Sequence, residues 1–228
     1  MKEISIIAIE GPAVSGKGNL AFRLAKHFKF HYFNTGALYR LAAYEMKRSN
    51  IKEHEHDKIV GIVEKLSPFF SGEQVILRGQ DIWPIIKTQE YGNLAALISP
   101  IKEVREVMYN FQRSMIKDPG LVVEGRGLLS HTFKDAHIKI YLDAHIDKRA
   151  ERRYQNELSK VMEGEKFLHD FETIKKDILD RDHKDINREH GPLLRTEDSH
   201  YIDNTNFNLE ETFEICKNLC EKILKEKN

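Results

Sequence analysis

The chain has 228 residues, enough for one substantial core carrying a lid or a small insertion. Hydrophobic residues make up 40% and charged residues 32%, a balance too apolar for a disordered chain. Lysine plus arginine and aspartate plus glutamate both total 36, so no overall positive field draws the chain to nucleic acid, and anions would bind only at local basic clusters.

Strand and helix alternate from the N-terminus. Residues 4–10 read as a buried strand, apolar and closed by Gly11-Pro12. The run is too short for a signal peptide or a membrane span, so a cytoplasmic protein with no membrane partner is expected. A helix is predicted over 16–27, with Leu20, Leu24 and Phe28 on one stripe. A short strand at 31–33 and a helix at 37–48 follow, the spacing of a parallel α/β sheet. Between about 50 and 100 the pattern changes. A polar helix at 55–66 precedes short apolar pieces at 68–70 and 75–77, separated by turns that include Ser71-Gly72 and Arg78-Gly79. Short pieces joined by tight turns predict a small antiparallel insertion over one end of the sheet.

Helical periodicity returns at 87–98 and 104–115, before Asp118-Pro119-Gly120 breaks the chain. Strands are predicted at 121–123, 137–142 and 200–202, and helices at 146–158, 171–188 and 209–225. Residues 162–169 are polar and read as a lid. Cys216 and Cys220 lie four apart on one face of the last helix, with no neighbouring ligands to complete a zinc site, and read as core thiols. The histidines show no metal-ligand pattern, and no protein-held metal is expected. The whole of 1–228 reads as one domain, with an insertion near 37–100 and a lid near 150–170.

The strongest signal runs through Gly11, Pro12, Ala13, Val14, Ser15, Gly16, Lys17, Gly18 and Asn19. It is a G-x-x-x-x-G-K phosphate loop placed directly after a predicted strand and before a predicted helix. Glycines let backbone N–H groups turn around phosphate oxygens, the helix offers its positive end, and Lys17 reaches the β and γ phosphates. The fold class expected is therefore α/β: a three-layer P-loop kinase fold with a central parallel sheet. The absence of an N-K-x-D guanine signature and of a transporter signature loop leaves a small kinase or a non-catalytic nucleotide-binding protein.

Thr35 and Arg40 stand at the C-terminal end of the second strand, where ligands collect in open α/β sheets. Arg126 follows the most apolar strand, next to Glu124, and is placed to bridge donor and acceptor phosphates. A helix cap and a buried ion pair are the plain alternatives for these groups. Arg149 and Arg153 share one helix face, as do Arg181, Asp185 and Arg188. Such stripes are as often surface salt bridges as phosphate clamps. An acceptor that is already an ionised phosphate needs no general base, so positioning and charge neutralisation would carry the chemistry.

Over essentially its whole length the chain resembles the bacterial-type cytidylate kinases. The matching landmarks are Gly11 to Gly18, Thr35-Gly36-Ala37-Leu38-Tyr39-Arg40, Thr88-Gln89-Glu90, Val104-Arg105, Gly125-Arg126, and Arg181-Asp182 with Asp185, Asn187 and Arg188. The resemblance implies transfer of the ATP γ-phosphoryl group to CMP or dCMP with Mg²⁺, by a cytoplasmic monomer. It implies that Thr35, Arg40, Arg105 and Arg126 surround the acceptor, that Asp185 meets its sugar, and that Arg181 and Arg188 hold its phosphate. Arg149 and Arg153 would close over the ATP phosphates, and Lys17, Arg126, Arg153 and Arg181 would serve the transfer itself. Asn19, Asn34, Lys87, Ala96 and Gly127, with Glu10 and Glu124, depart from the family pattern. Ala96 and Gly127 stand where groups that read the base are expected, which leaves another nucleoside monophosphate, such as UMP, or another small alcohol or phosphate acceptor as the alternative substrate.

Overall fold

In this computed structural model, residues 4–159 and 170–226 are described. Strands β1 (Ser5–Glu10), β2 (His31–Asn34), β6 (Gly120–Gly125), β7 (Ile138–Asp143) and β8 (His200–Asp203) form one sheet. Its order is β2-β6-β1-β7-β8, and every neighbouring pair is parallel. Their C-terminal ends therefore emerge along one edge. Glu10 lies beside Gly125, and Asn34 beside Glu124, in the sheet register.

Strand alternation assigns the two faces. Ile6 and Ala8 of β1 pack into a core with helices α2 (Thr35–Arg48) and α6 (Lys102–Ser114), whereas Ile7 and Ile9 pack with α1 (Lys17–Phe28) and α9 (Leu209–Glu226). Helices thus cover both faces, the three-layer arrangement that a buried parallel sheet requires. Cys216 and Cys220 are buried in the α1/α9 layer, where burial pushes both thiols up to about 12.

A smaller antiparallel sheet of β3 (Phe69–Ser71), β4 (Gln74–Leu77) and β5 (Gln80–Asp81) follows α3 (His56–Glu64). The helix expected over 87–98 is present, and a short helix that was not expected precedes it. Pro84 sits in the first turn of α4 (Trp83–Ile86), and Thr88, in extended conformation, caps a separate α5 (Gln89–Ile98). A π-helical turn at Leu128–Thr132 was also absent from the expected elements. Helices α7 (Ile146–Leu158) and α8 (Phe171–Asn187) pack against each other. The expected lid segment 162–169 lies outside the described residues. Among the described residues no helix is long and apolar enough to cross a membrane.

Candidate active site

The loop after β1 is shaped by close approach. A Cβ on Gly11 would lie 2.0 Å from the Leu142 carbonyl oxygen at the end of β7, so only glycine lets the chain pass there. Val14 is held at φ 61, a left-handed conformation that a β-branched residue adopts only under constraint from its surroundings. That constraint is visible in the structure. The Ala13 N–H donates to Asp182 Oδ1 at 2.8 Å, and Arg149 Nη1 donates to the Ala13 carbonyl at 3.0 Å. Arg149 also pairs with Asp182 and donates from Nε to the Ala144 carbonyl at 2.9 Å. One step along, Asn204 Nδ2 donates to the Ser15 carbonyl at 3.0 Å, and Arg152 grips both the Asn204 side chain and its carbonyl. The phosphate loop is thus braced from behind by α7, α8 and the end of β8. On its open side lies Lys17, 8% exposed, with Nζ donating to the Pro12 carbonyl at 3.0 Å.

The facing wall comes from β2, β6 and α8. Asn34 caps α2 by accepting the Ala37 N–H at 3.0 Å, and Thr35 Oγ1 donates to the Glu124 carbonyl at 3.1 Å. Arg40 donates to the Ile86 and Thr88 carbonyls at 2.8 and 2.5 Å, which ties α2 to the start of α5. Arg126 Nε lies 2.5 Å from Asp185 Oδ2 without hydrogen-bond alignment, and Arg188 Nη1 lies 3.5 Å from the other carboxylate oxygen. Arg105 Nη1 donates to the Ser99 carbonyl at 3.3 Å, while its buried Nε has no partner among the described residues.

Glu10 builds the loop that carries Arg126. Wholly buried, it accepts the N–H groups of Gly127, Leu128 and Leu129 at 2.7, 2.8 and 2.8 Å, and that of Leu194 at 3.3 Å. This is a carboxylate at the N-terminus of the π-helical turn, where the unpaired N–H groups and the helix dipole favour an anion. Gly127, at φ 69, has no room for a side chain, because a Cβ there would come within 2.3 Å of the Gly191 carbonyl oxygen. Arg188 Nε donates to that same oxygen at 2.5 Å.

The electrostatics are those of a site awaiting anions. Burial pushes the Lys17 ammonium well down, with Arg126 and Arg181 adding repulsion and Glu124 opposing it. Arg181 is pushed down to about 10, chiefly by Arg126 and then by burial. Burial lowers Arg40 as well, helped by Arg126. Burial raises the Glu124 carboxyl, and Lys17 is the first of four cations that pull it back. Clustered cations in a poorly hydrated cleft are favourable only when phosphate oxygens stand between them.

Two cavities meet at this cluster. One runs from the phosphate loop past Lys17 and Glu124, and the other lies between α5, α6 and α8. Gly36, Arg40, Gly125, Arg126 and Arg181 line both. The model of the cytidylate kinase family matches residues 7–225. The chain belongs to that family. A cytidylate kinase of Streptococcus pneumoniae strain Hungary19A-6 is 37% identical over 227 residues, covering 97% of this chain and 99% of the relative. An uncharacterized protein from Eubacterium ventriosum has a similar fold, with a TM-score of 0.51 at 12% identity, covering 98% of this chain and 99% of its own.

Within this cytidylate kinase family member the sequence-predicted residues fall into groups. Gly16, Lys17, Gly18 and Asn19 line the phosphate-loop cavity with Arg126 and Arg181. Thr35, Arg40, Arg105, Asp185 and Arg188 line the second cavity. Arg149, expected on the ATP phosphates, lies behind the phosphate loop. Its guanidinium is engaged behind the loop with Ala13, Ala144 and Asp182, because burial at 7% exposure demands a carboxylate and carbonyl partners. Arg153 is held by Glu157 at 2.7 Å and reaches Gln89 of α5 at 3.4 Å, so it spans from α7 to the acceptor wall. Sequence reasoning missed Asn204 and the segment to Thr212, which with Gly16, Lys148 and Arg152 line a third cavity beside the phosphate loop. An isolated asparagine after a short strand carries no spacing signal that would have exposed it.

Proposed function

We propose that this chain transfers the γ-phosphoryl group of ATP to CMP or dCMP, giving ADP and CDP or dCDP. The observation that carries this reading is the junction of the two cavities, where Arg40, Arg126 and Arg181 face a phosphate-loop lysine across a shared opening. ATP enters from the side of Gly16, Arg152 and Asn204, with its terminal phosphates along 11–19. The monophosphate enters between α5, α6 and α8, with its phosphate toward Arg126 and Arg181. The acceptor phosphate is already a nucleophile, so the residues supply alignment and charge. Lys17 leaves the Pro12 carbonyl for the γ-phosphoryl oxygens, and Arg126 and Arg181 neutralise the charge that spreads over them in the transition state. Arg153, already in contact with Gln89 across the cleft, draws the α7 side toward the acceptor.

Among the described residues no group of three or more His, Cys, Asp or Glu could hold a metal ion. Mg²⁺ carried in on nucleotide phosphates needs only one or two protein oxygens. Glu124, buried beside Lys17, and Asn19 at the start of α1 are the residues that would hold it. The ion would supply charge neutralisation at the β and γ phosphates. The reading includes a cytoplasmic monomer that takes no nucleic acid.

The test is ADP formation from ATP and Mg²⁺ across CMP, dCMP, UMP, AMP and GMP. Turnover with CMP and dCMP is expected, with AMP and GMP inert. No turnover with any of the five would overturn the reading and leave a nucleotide-binding protein.

A further inference from the structure

Beyond the acceptor cavity lies an outer one of about 570 Å³, and Arg105 lines both. The outer walls are one face of α6, the π-helical turn at His131, and the segment 189–191 that follows α8. Arg105 is 8% exposed, and its Nη1 donates to the Ser99 carbonyl at 3.3 Å. Its buried Nε has no partner among the described residues. Nη2 is turned toward Gly191, where an added Cβ would come within 2.3 Å of it, and Gly191 lines the outer cavity and not the acceptor cavity. A buried guanidinium with donors to spare is set for an anion.

The outer cavity is electropositive at His131. Burial lowers that imidazole, and the charges of Arg105, His190 and Lys134 push it the same way. Tyr109 packs against its ring with centroids 5.6 Å apart. Lys102, the first residue of α6, adds an ammonium at a helix start that no side chain caps. The carboxylates in the lining, Glu106 and Glu189, are largely exposed and loosely engaged, 3.9 Å from Lys102 and 4.0 Å from His190. Such exposed pairs hold little, and a dianion can replace them.

We propose that the outer cavity is an anion site separate from the two nucleotide cavities, which takes a phosphate group, as a free ion or a small phosphate ester, between Arg105, His131, His190 and Lys102. Because Arg105 lines both cavities, an anion here takes up part of the charge that the acceptor would otherwise meet. The two ligands therefore weaken each other by the same factor. Protonated His131 is a partner for the anion, so binding is strongest below the free imidazole's value and falls as pH rises through the higher value it has in the complex.

Sulfate is the probe, because it stays a dianion throughout the titration. Proton NMR on the full chain follows the His131 imidazole, assigned by the resonance lost in His131→Gln. At constant ionic strength sulfate is expected to raise the His131 midpoint, with affinity roughly threefold to fivefold greater for the protonated state, the scale of one exposed ion pair. Lys102→Gln, a surface change outside the transfer machinery, should weaken sulfate by a similar factor with melting unchanged. Saturating CMP should weaken sulfate severalfold and leave the full shift attainable at high sulfate. Inorganic phosphate and glycerol 3-phosphate, compared at one pH, then tell a free ion from an ester as the tighter occupant, and either result supports the site. A His131 midpoint that sulfate does not move overturns the proposal. So does a shift that CMP abolishes outright, since the anion would then have been in the acceptor cavity. The sulfate titration reads the site whether or not CMP is the acceptor, so a failed acceptor assignment leaves it standing.

Discussion

Lys17 donates to a carbonyl five residues back in its own loop, a resting contact that any arriving phosphate must outcompete. It does so readily, because the ammonium is buried among Arg126 and Arg181 and sits well below its ordinary value of 10.5. Two outcomes follow at this residue. Lys17→Ala is expected to lower kcat/KM by roughly 10²–10³-fold, the scale of losing one charge-stabilising donor, with melting temperature retained or raised. Steady-state kinetics beside a thermal melt check both halves, and near-normal turnover would sink the role given to Lys17. The second concerns protons. Phosphates lift a lysine whose free-enzyme value is depressed, so nucleotide binding takes up a proton in the window above that depressed value and up to about 10.5. Affinity for the ATP analogue should therefore fall as pH rises through that window. Calorimetry in two buffers of different ionisation heat reads the uptake directly, and its absence in Lys17→Ala assigns it.

At the scale of elements, two devices hold the catalytic loops, and both rest on acidic residues. Glu10 joins β1 to the π-helical turn after β6 and to the segment at Leu194 through four backbone N–H bonds. Glu10→Gln keeps the volume but turns an amide donor toward N–H groups, so a loss of about 2–3 kcal/mol is expected in urea unfolding. A change below about 0.5 kcal/mol would show that the cap is dispensable. Asp182, next to Arg181 on α8, clamps the Ala13 peptide with Arg149 of α7. Asp182→Asn should raise KM for ATP several-fold while leaving KM for the monophosphate nearly unchanged, since the brace touches only the phosphate loop. Equal effects on both substrates would point to general loosening of the fold. Sequence periodicity showed that Arg181, Asp185 and Arg188 share a stripe, and the loop motif located Lys17. Spacing along a helix fixes which residues share a face, but not which loop that face meets. For that reason the clamp that Asp182 and Arg149 form on the Ala13 peptide was not legible in the sequence, and neither was the short helix α4 with Pro84 in its first turn.

Across the whole molecule, equal totals of acidic and basic residues conceal a strong local imbalance at the C-terminal edge of the sheet. The strand order was not legible from the chain, because parallel neighbours such as β1 and β6 are joined only by pairing between residues more than a hundred apart. Yet that order is what brings Lys17, Arg40, Arg126 and Arg181 around Glu124. Without a ligand these cations repel one another at a cost to the fold. Arg181 has a folded-state value, about 10, below its ordinary 12.5, so its charge opposes folding at every pH below that value. Arg181→Met keeps most of the aliphatic bulk and removes the charge. The expected result is an unliganded protein that melts at or above the wild-type temperature while turnover collapses. In the wild type, a bisubstrate analogue at a hundred times its Kd should stabilise by about 2.7 kcal/mol, or roughly 5–10 °C for a chain of this length. In Arg181→Met most of that shift should disappear, because the anion loses one of the guanidinium groups it was to separate. Thermal melts with and without the analogue measure both terms together. An unliganded variant several degrees less stable than wild type would mean that Arg181 supports the fold, and the cation cluster would then have to be assigned a structural role as well.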